Sequence, residues 1–96
     1  MPLFVAIHKW KIEDLTTVTR KVIEALQQIP EGVCMCSSYL DSGQTGAWCV
    51  WEAKSKEQVK DFLTEKVPEM ETDVKPVLQF FPPSPDIYAL IHALVT

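Results

Sequence analysis

Two patterns of apolar and polar positions take turns along this chain. Leu3 to Trp10 is a β-rich run. After Ile12-Glu13-Asp14 the spacing changes: Leu15, Val18, Val22, Leu26 and Ile29 recur at three and four, the signature of a helix with one apolar face. Glu13 and Asp14 suit its first turn, where exposed N–H groups favour negative charge, and Pro30-Glu31-Gly32 ends it. Val33–Leu40 and Ala47–Ala53 read as strands joined by the turn Asp41-Ser42-Gly43-Gln44-Thr45-Gly46, hence as a hairpin. Ser55-x-x-Gln58 is a capping-box pattern that opens a second helix, with Val59, Phe62, Leu63 and Val67 as its stripe and Pro68 as its stop. Thr72–Phe81 reads as a fourth strand. Pro76 within it predicts an edge position or a bulge, and Pro82-Pro83 closes it. Ser84-Pro85-Asp86 then starts a short helix with Ile87, Leu90, Ile91 and Leu94 on one side.

The order β-α-β-β-α-β predicts an α+β fold of the ferredoxin-like kind. A four-stranded antiparallel sheet carries two helices on one face, and a short C-terminal helix follows. The 96 residues fit one domain, with a core over 3–81 and a helical extension over 84–96.

Such a sheet leaves one face without helices. Alternation, with the less polar set placed under the helices, assigns Val5, Ile7, Cys49, Trp51, Ala53, Val74, Leu78 and Phe80 to the core. Pairing Tyr39 with Trp48 adds Cys34 and Cys36 to that side and puts Met35 and Ser37 on the other. The open face then holds Phe4, His8, Trp10, Tyr39, Trp48, Val50, Val77 and Phe81. That is too aromatic to be left in water, and predicts either a second subunit, sheet against sheet, or cover by the C-terminal helix. The two-fold homodimer is the expectation.

Composition narrows the function classes. Apolar residues make up 47%, charged residues 23%, and the net charge is −4. A concentrated Lys/Arg footprint for phosphates is missing, so nucleic acid is not expected as a partner. No apolar stretch approaches the ~20 residues of a membrane span, and Leu3–Ile7 is too short for a secretory leader, so a cytoplasmic location is expected. Three cysteines, two of them in C-x-C, form neither a disulfide framework nor a zinc set, and read as reduced core residues. His92 sits near the end of the last helix, where the dipole favours a cation. The nucleotide, phosphoryl-transfer, esterase and metalloprotease motifs are absent.

What remains is a set of polar groups among the open-face rings. His8 and Glu52 are the candidate acid–base pair, and Trp10, Tyr39, Trp48 and Gln79 are candidate ligand contacts. The alternative is a satisfied polar pair inside a dimer interface.

Four stretches carry a resemblance: Phe4-Val5-Ala6-Ile7-His8, Pro30-Glu31-Gly32-Val33, Gly46-Ala47-Trp48-Cys49-Val50-Trp51-Glu52-Ala53 and Val74-Lys75-Pro76-Val77-Leu78. In these the chain resembles the dimeric α+β barrel superfamily of ferredoxin-like domains, and within it a group of small uncharacterised prokaryotic proteins. That group tends to end its second strand in Gly-Arg-aromatic-His, where this chain has Ser37-Ser38-Tyr39-Leu40. The superfamily spans cofactor-independent monooxygenases, haem-degrading enzymes, isomerases, stress proteins and ligand-binding modules, so fold alone selects no reaction. Two expectations follow. One is a homodimeric small-molecule-binding or interaction domain without catalysis. The other is a small monooxygenase- or isomerase-like enzyme using His8 and Glu52 in a cavity on the open face. No cofactor is required by either; a haem reading would rest on His8 as the only evident axial ligand.

Overall fold

A computed structural model describes residues 2–95, so the last residue of the predicted extension lies outside it. The strands are β1 (Leu3–Lys9), β2 (Cys34–Leu40), β3 (Gly46–Glu52) and β4 (Glu71–Val77). The helices are α1 (Leu15–Leu26), α2 (Lys56–Lys66) and α3 (Pro85–Val95). All pairings are antiparallel in the order β2-β3-β1-β4, the ferredoxin-like arrangement. Both outer strands are edges, and β4 being one explains how Pro76 is tolerated.

Each helix start has a physical cause. A 3₁₀ turn over Ile12–Asp14 precedes α1 and brings Glu13 and Asp14 to its positive end. Ser55 caps α2 by accepting the Gln58 N–H at 3.3 Å. The return arm of the box differs from expectation: the Gln58 side chain accepts from Lys54 N–H at 2.8 Å rather than from Ser55. Ser84 caps α3 through the Ile87 N–H. After α1, Gly32 adopts φ +84°, which favours glycine, and Val33 re-enters the core.

The core lies between α1, α2 and one face of the sheet. Val18 and Ala25 of α1 and Val59, Phe62 and Leu63 of α2 are buried, with Val67 and Met70 beyond α2. Trp51 at the sheet centre is fully buried and meets Phe62 edge to face, ring centroids 6.2 Å apart.

The strand faces correct the sequence reading in three places. On β1 it is Phe4, Ala6 and His8 that are buried under the helices, while Val5 and Ile7 face the other way. Both sets are apolar enough to be buried. Choosing the less polar one failed because His8 is a core residue. On β2, Tyr39 does pair with Trp48 and Ser37 with Val50, but the register shifts between Met35 and Ser37. Cys36 is the extra residue of a bulge, which flips every side chain before it. Met35 therefore packs on the core, and Cys34 and Cys36 are exposed rather than buried. Finally, β4 stops at Val77, so Leu78, Phe80 and Phe81 lie in an exposed loop, Phe81 at 89% of its full accessibility. Cys49, Trp51 and Val74 do occupy the core positions assigned to them, and Ala53 is buried just past β3.

The second face of the sheet has no helix on it. Val5, Ile7, Tyr39, Trp48, Val50, Glu52, Asp73, Lys75 and Val77 share it. On α3 only Ile87 is buried; its other described residues are exposed.

Candidate functional site

The strand reversal places His8 against α1 rather than in the open. Its neighbours in the sheet are Ala47 on β3 and Thr72 on β4. The Thr72 partnership is a direct cross-strand pair, and Nδ1 of His8 lies 3.0 Å from Thr72 Oγ1. Only 3% of His8 is exposed, and its Nε2 is sealed from solvent without a hydrogen-bond partner. Burial lowers the imidazole pKa from 6.5 to about 4, so the ring is neutral at physiological pH.

His8 forms part of the wall of a cavity of about 190 Å³ between α1 and the sheet. Val18, Val22, Ala25 and Leu26 of α1 form its roof. The sheet side is Met35 and Ser38 of β2, Ala47, Cys49 and Trp51 of β3, and His8 itself. Leu63 and Met70 close the α2 end. Thr19 and Ile23 on α1, with Leu40 at the end of β2, are exposed lining residues and mark its mouth.

Local geometry fixes the polar groups in this wall. Ser38 and Cys49 are cross-strand partners, and their Oγ and Sγ atoms are 3.2 Å apart. Burial pushes the Cys49 thiol upward, opposed by the Ser38 hydrogen bond, so the thiol is protonated at neutral pH. Trp10 is pinned by the β2–β3 turn: its backbone N–H donates to Thr45 O at 3.1 Å and its indole N–H to Gln44 O at 2.9 Å. That turn is itself tied by Asp41, whose carboxylate accepts the Gly43 N–H and whose carbonyl accepts the Gln44 N–H. Gly46 opposite Lys9 completes it, and a Cβ there would meet the His8 carbonyl at 3.1 Å. Trp51 Nε1, four residues along β3 from the partner of His8, is a second buried polar atom without a partner.

The six residues picked from sequence therefore separate. His8 and Trp10 meet at the cavity. Glu52, Tyr39 and Trp48 lie on the opposite face, so the sheet stands between His8 and Glu52. Gln79 is exposed in the loop after β4, where its Nε2 donates to Pro82 O at 2.7 Å. Sequence reasoning did not assign Thr72, Ser38 and Cys49 to the site. Thr72 becomes visible only once β4 is known to pair with β1 in this register.

Cys36, the extra residue of the bulge, has its thiol pKa raised, first by desolvation and then by the negative charges of Glu52 and Cys34. Among the described residues no cluster of three or more His, Cys, Asp or Glu side chains can hold a metal ion. Nor does the cavity fit haem: a void of ~150 Å³ accepts a single benzene, and about 190 Å³ leaves no room for a macrocycle.

The fold and the cavity define a ferredoxin-like α+β domain with an interior pocket under its first helix. The chain belongs to the family described as a domain of unknown function, DUF3303, whose profile matches residues 2–80 and so stops short of α3. No curated protein matches it. Among solved structures it is similar to the de novo designed protein Foldit4, at 10% identity and a TM-score of 0.43, over 80% of this chain and 94% of that one. Among the described residues no helix is long and apolar enough to cross a membrane.

Proposed function

We propose that this protein is a small-molecule-binding domain whose ligand occupies the cavity between α1 and the sheet, and that it works as a homodimer. The observation that carries the first half is the mostly apolar cavity itself, whose lining includes His8, a buried, neutral imidazole with an unpartnered Nε2. A purely structural histidine normally has both nitrogens satisfied. Apolar walls with a few polar groups are the usual composition of a ligand site.

The dimer rests on the opposite face. Tyr39 is 61% and Trp48 44% exposed there, beside Val5, Ile7 and Val50. A two-fold axis through this face lets the same residues cover each other, the commonest way to close such a surface. The resemblance to dimeric α+β barrels supports the same arrangement. Catalysis by a His8–Glu52 pair finds no support within one chain, because the two side chains lie on opposite faces of the sheet.

The test is native mass spectrometry of freshly purified protein, with Val22→Trp as the control that fills the cavity. The expected result is a dimer that retains a small molecule or takes up single-ring fragments, with uptake lost in Val22→Trp. Uptake that survives the filled cavity, or none by either protein, refutes the cavity reading. A monomer across a wide concentration range refutes the dimer.

A further inference from the structure

We infer that α3 is an arm that docks on a second copy of this chain, its apolar stripe seated against the partner's Tyr39 and Trp48. This rests on the dimer reading and adds what each copy gives the other. At about 100° per residue, Leu90, Leu94, Ile87, Ile91, Val95 and Tyr88 follow one another round a continuous arc of about 160° of the helix. A helix with such a stripe normally buries it. Here only Ile87 is buried, and α3 forms no extended interface with any strand or other helix. At 11 residues it is marginal in water without such packing. Its root is nevertheless tied: Gln79 Nε2 donates to Pro82 O at 2.7 Å, the Ser84 N–H donates to Gln79 O at 3.2 Å, and Ser84 caps the helix. The arm stands off the body, so the chain measures 52 × 30 × 18 Å. Its radius of gyration is 14.9 Å, against the ~12.5 Å of a compact domain of this length.

The occupant follows from position and area. The helix-free face of the sheet is the complementary surface, and its two central strands put Val5, Ile7, Trp48 and Val50 there. Its rings, Tyr39 and Trp48, pair across β2 and β3, whereas α3 follows β4 at the opposite edge. A two-fold axis running along the strands sets the β4 edge of each copy over the β2 edge of the other, and so brings each arm to the other's rings. The area is sufficient. At about 200 Å² a ring, Tyr39, Trp48, Phe80, Phe81 and Tyr88 leave roughly 600 Å² exposed per chain. Leu90, Leu94 and Val95, all exposed, bring this to the ~800 Å² per partner that a stable interface buries.

Two measurements on the full chain provide the test. The first compares the dimerisation constants of wild type and the double variant Leu90→Asp, Leu94→Asp by sedimentation equilibrium. Both side chains are exposed within one chain, so the fold is expected to stay intact by circular dichroism while the dimer weakens at least tenfold. An undiminished dimer overturns the arm and leaves the dimer reading standing, and a monomeric wild type overturns both. The second places a benzophenone side chain at Leu94 and mixes that chain with an excess of ¹⁵N-labelled wild type. After subunit exchange and irradiation, mass spectrometry of the digest is expected to join light residue 94 to heavy peptides at Tyr39 or Trp48. Cross-links confined to the light chain mean that the arm covers its own sheet, and heavy cross-links away from those two residues mean a different seat; either result overturns the proposal. This second measurement decides the matter if the double variant does not fold.

Discussion

His8 makes the stability of this domain depend on pH in a direction opposite to that of a histidine that gains a negatively charged partner on folding. The folded state holds the ring neutral with a pKa of about 4, while the unfolded chain returns it to 6.5. Between those values the unfolded state binds the extra proton, so stability is fully present above pH 6.5 and is lost as pH falls toward 4. The gap of about 2.5 units is worth about 3 kcal/mol, and about 2 kcal/mol of that is gone by pH 5. For a domain stabilised by ~5–10 kcal/mol this is a large share. In urea, with a slope of about 1.5 kcal/mol/M, the midpoint drops by more than 1 M between pH 7.5 and 5. Carboxylates titrate nearby, so the readout is a difference. Wild type and His8→Phe are unfolded in urea at both pH values, and their midpoints are compared. Phenylalanine keeps an aromatic ring in the site and removes the proton, so the terms common to both proteins cancel. Wild type is expected to lose about 2 kcal/mol more than the variant. Parallel losses in the two proteins would falsify the buried neutral imidazole on which the site is built.

Three further outcomes check other parts of the structure. Val50→Lys puts a charge at the centre of the bare sheet face, and light scattering is expected to give half the wild-type mass with the fold retained by circular dichroism. Ser55→Ala removes the cap of α2 and costs about 1 kcal/mol, lowering Tm by roughly 4–8 °C in a thermal melt. Gly32→Ala meets no atom but is held at a positive φ, so it destabilises by about 1 kcal/mol; an unchanged Tm refutes the strain argument.

The sequence made the element order legible because each element carries its own period and punctuation. The stripe Val59, Phe62, Leu63 and Val67 with Ser55 before it and Pro68 after it admits one reading, and those four residues are buried. The Tyr39–Trp48 pairing was legible for the same reason, since a six-residue turn between two strands fixes the register near it. Strand faces were harder. In Leu3–His8 both alternating sets are apolar, and what decides between them is which face α1 and α2 cover, a long-range fact. The bulge at Cys36 carries no local signal in Cys34-Met35-Cys36-Ser37 either, yet it exchanges inside and outside for the first part of β2. The candidate site inherited these two ambiguities. His8 was singled out from its chemistry, but its partners depend on the face it occupies.

The sheet is one residue thick, and that turns it into a partition between two tasks. Residues such as Val22, Met35 and Cys49 shape the cavity on one side, while Val5, Trp48 and Val50 shape the helix-free surface on the other. Because adjacent positions on a strand serve opposite sides, substitutions for one task need not disturb the other, and effects from side chains that share no neighbour should add. A lineage built on this scaffold is therefore free to reshape its cavity without reshaping its helix-free face.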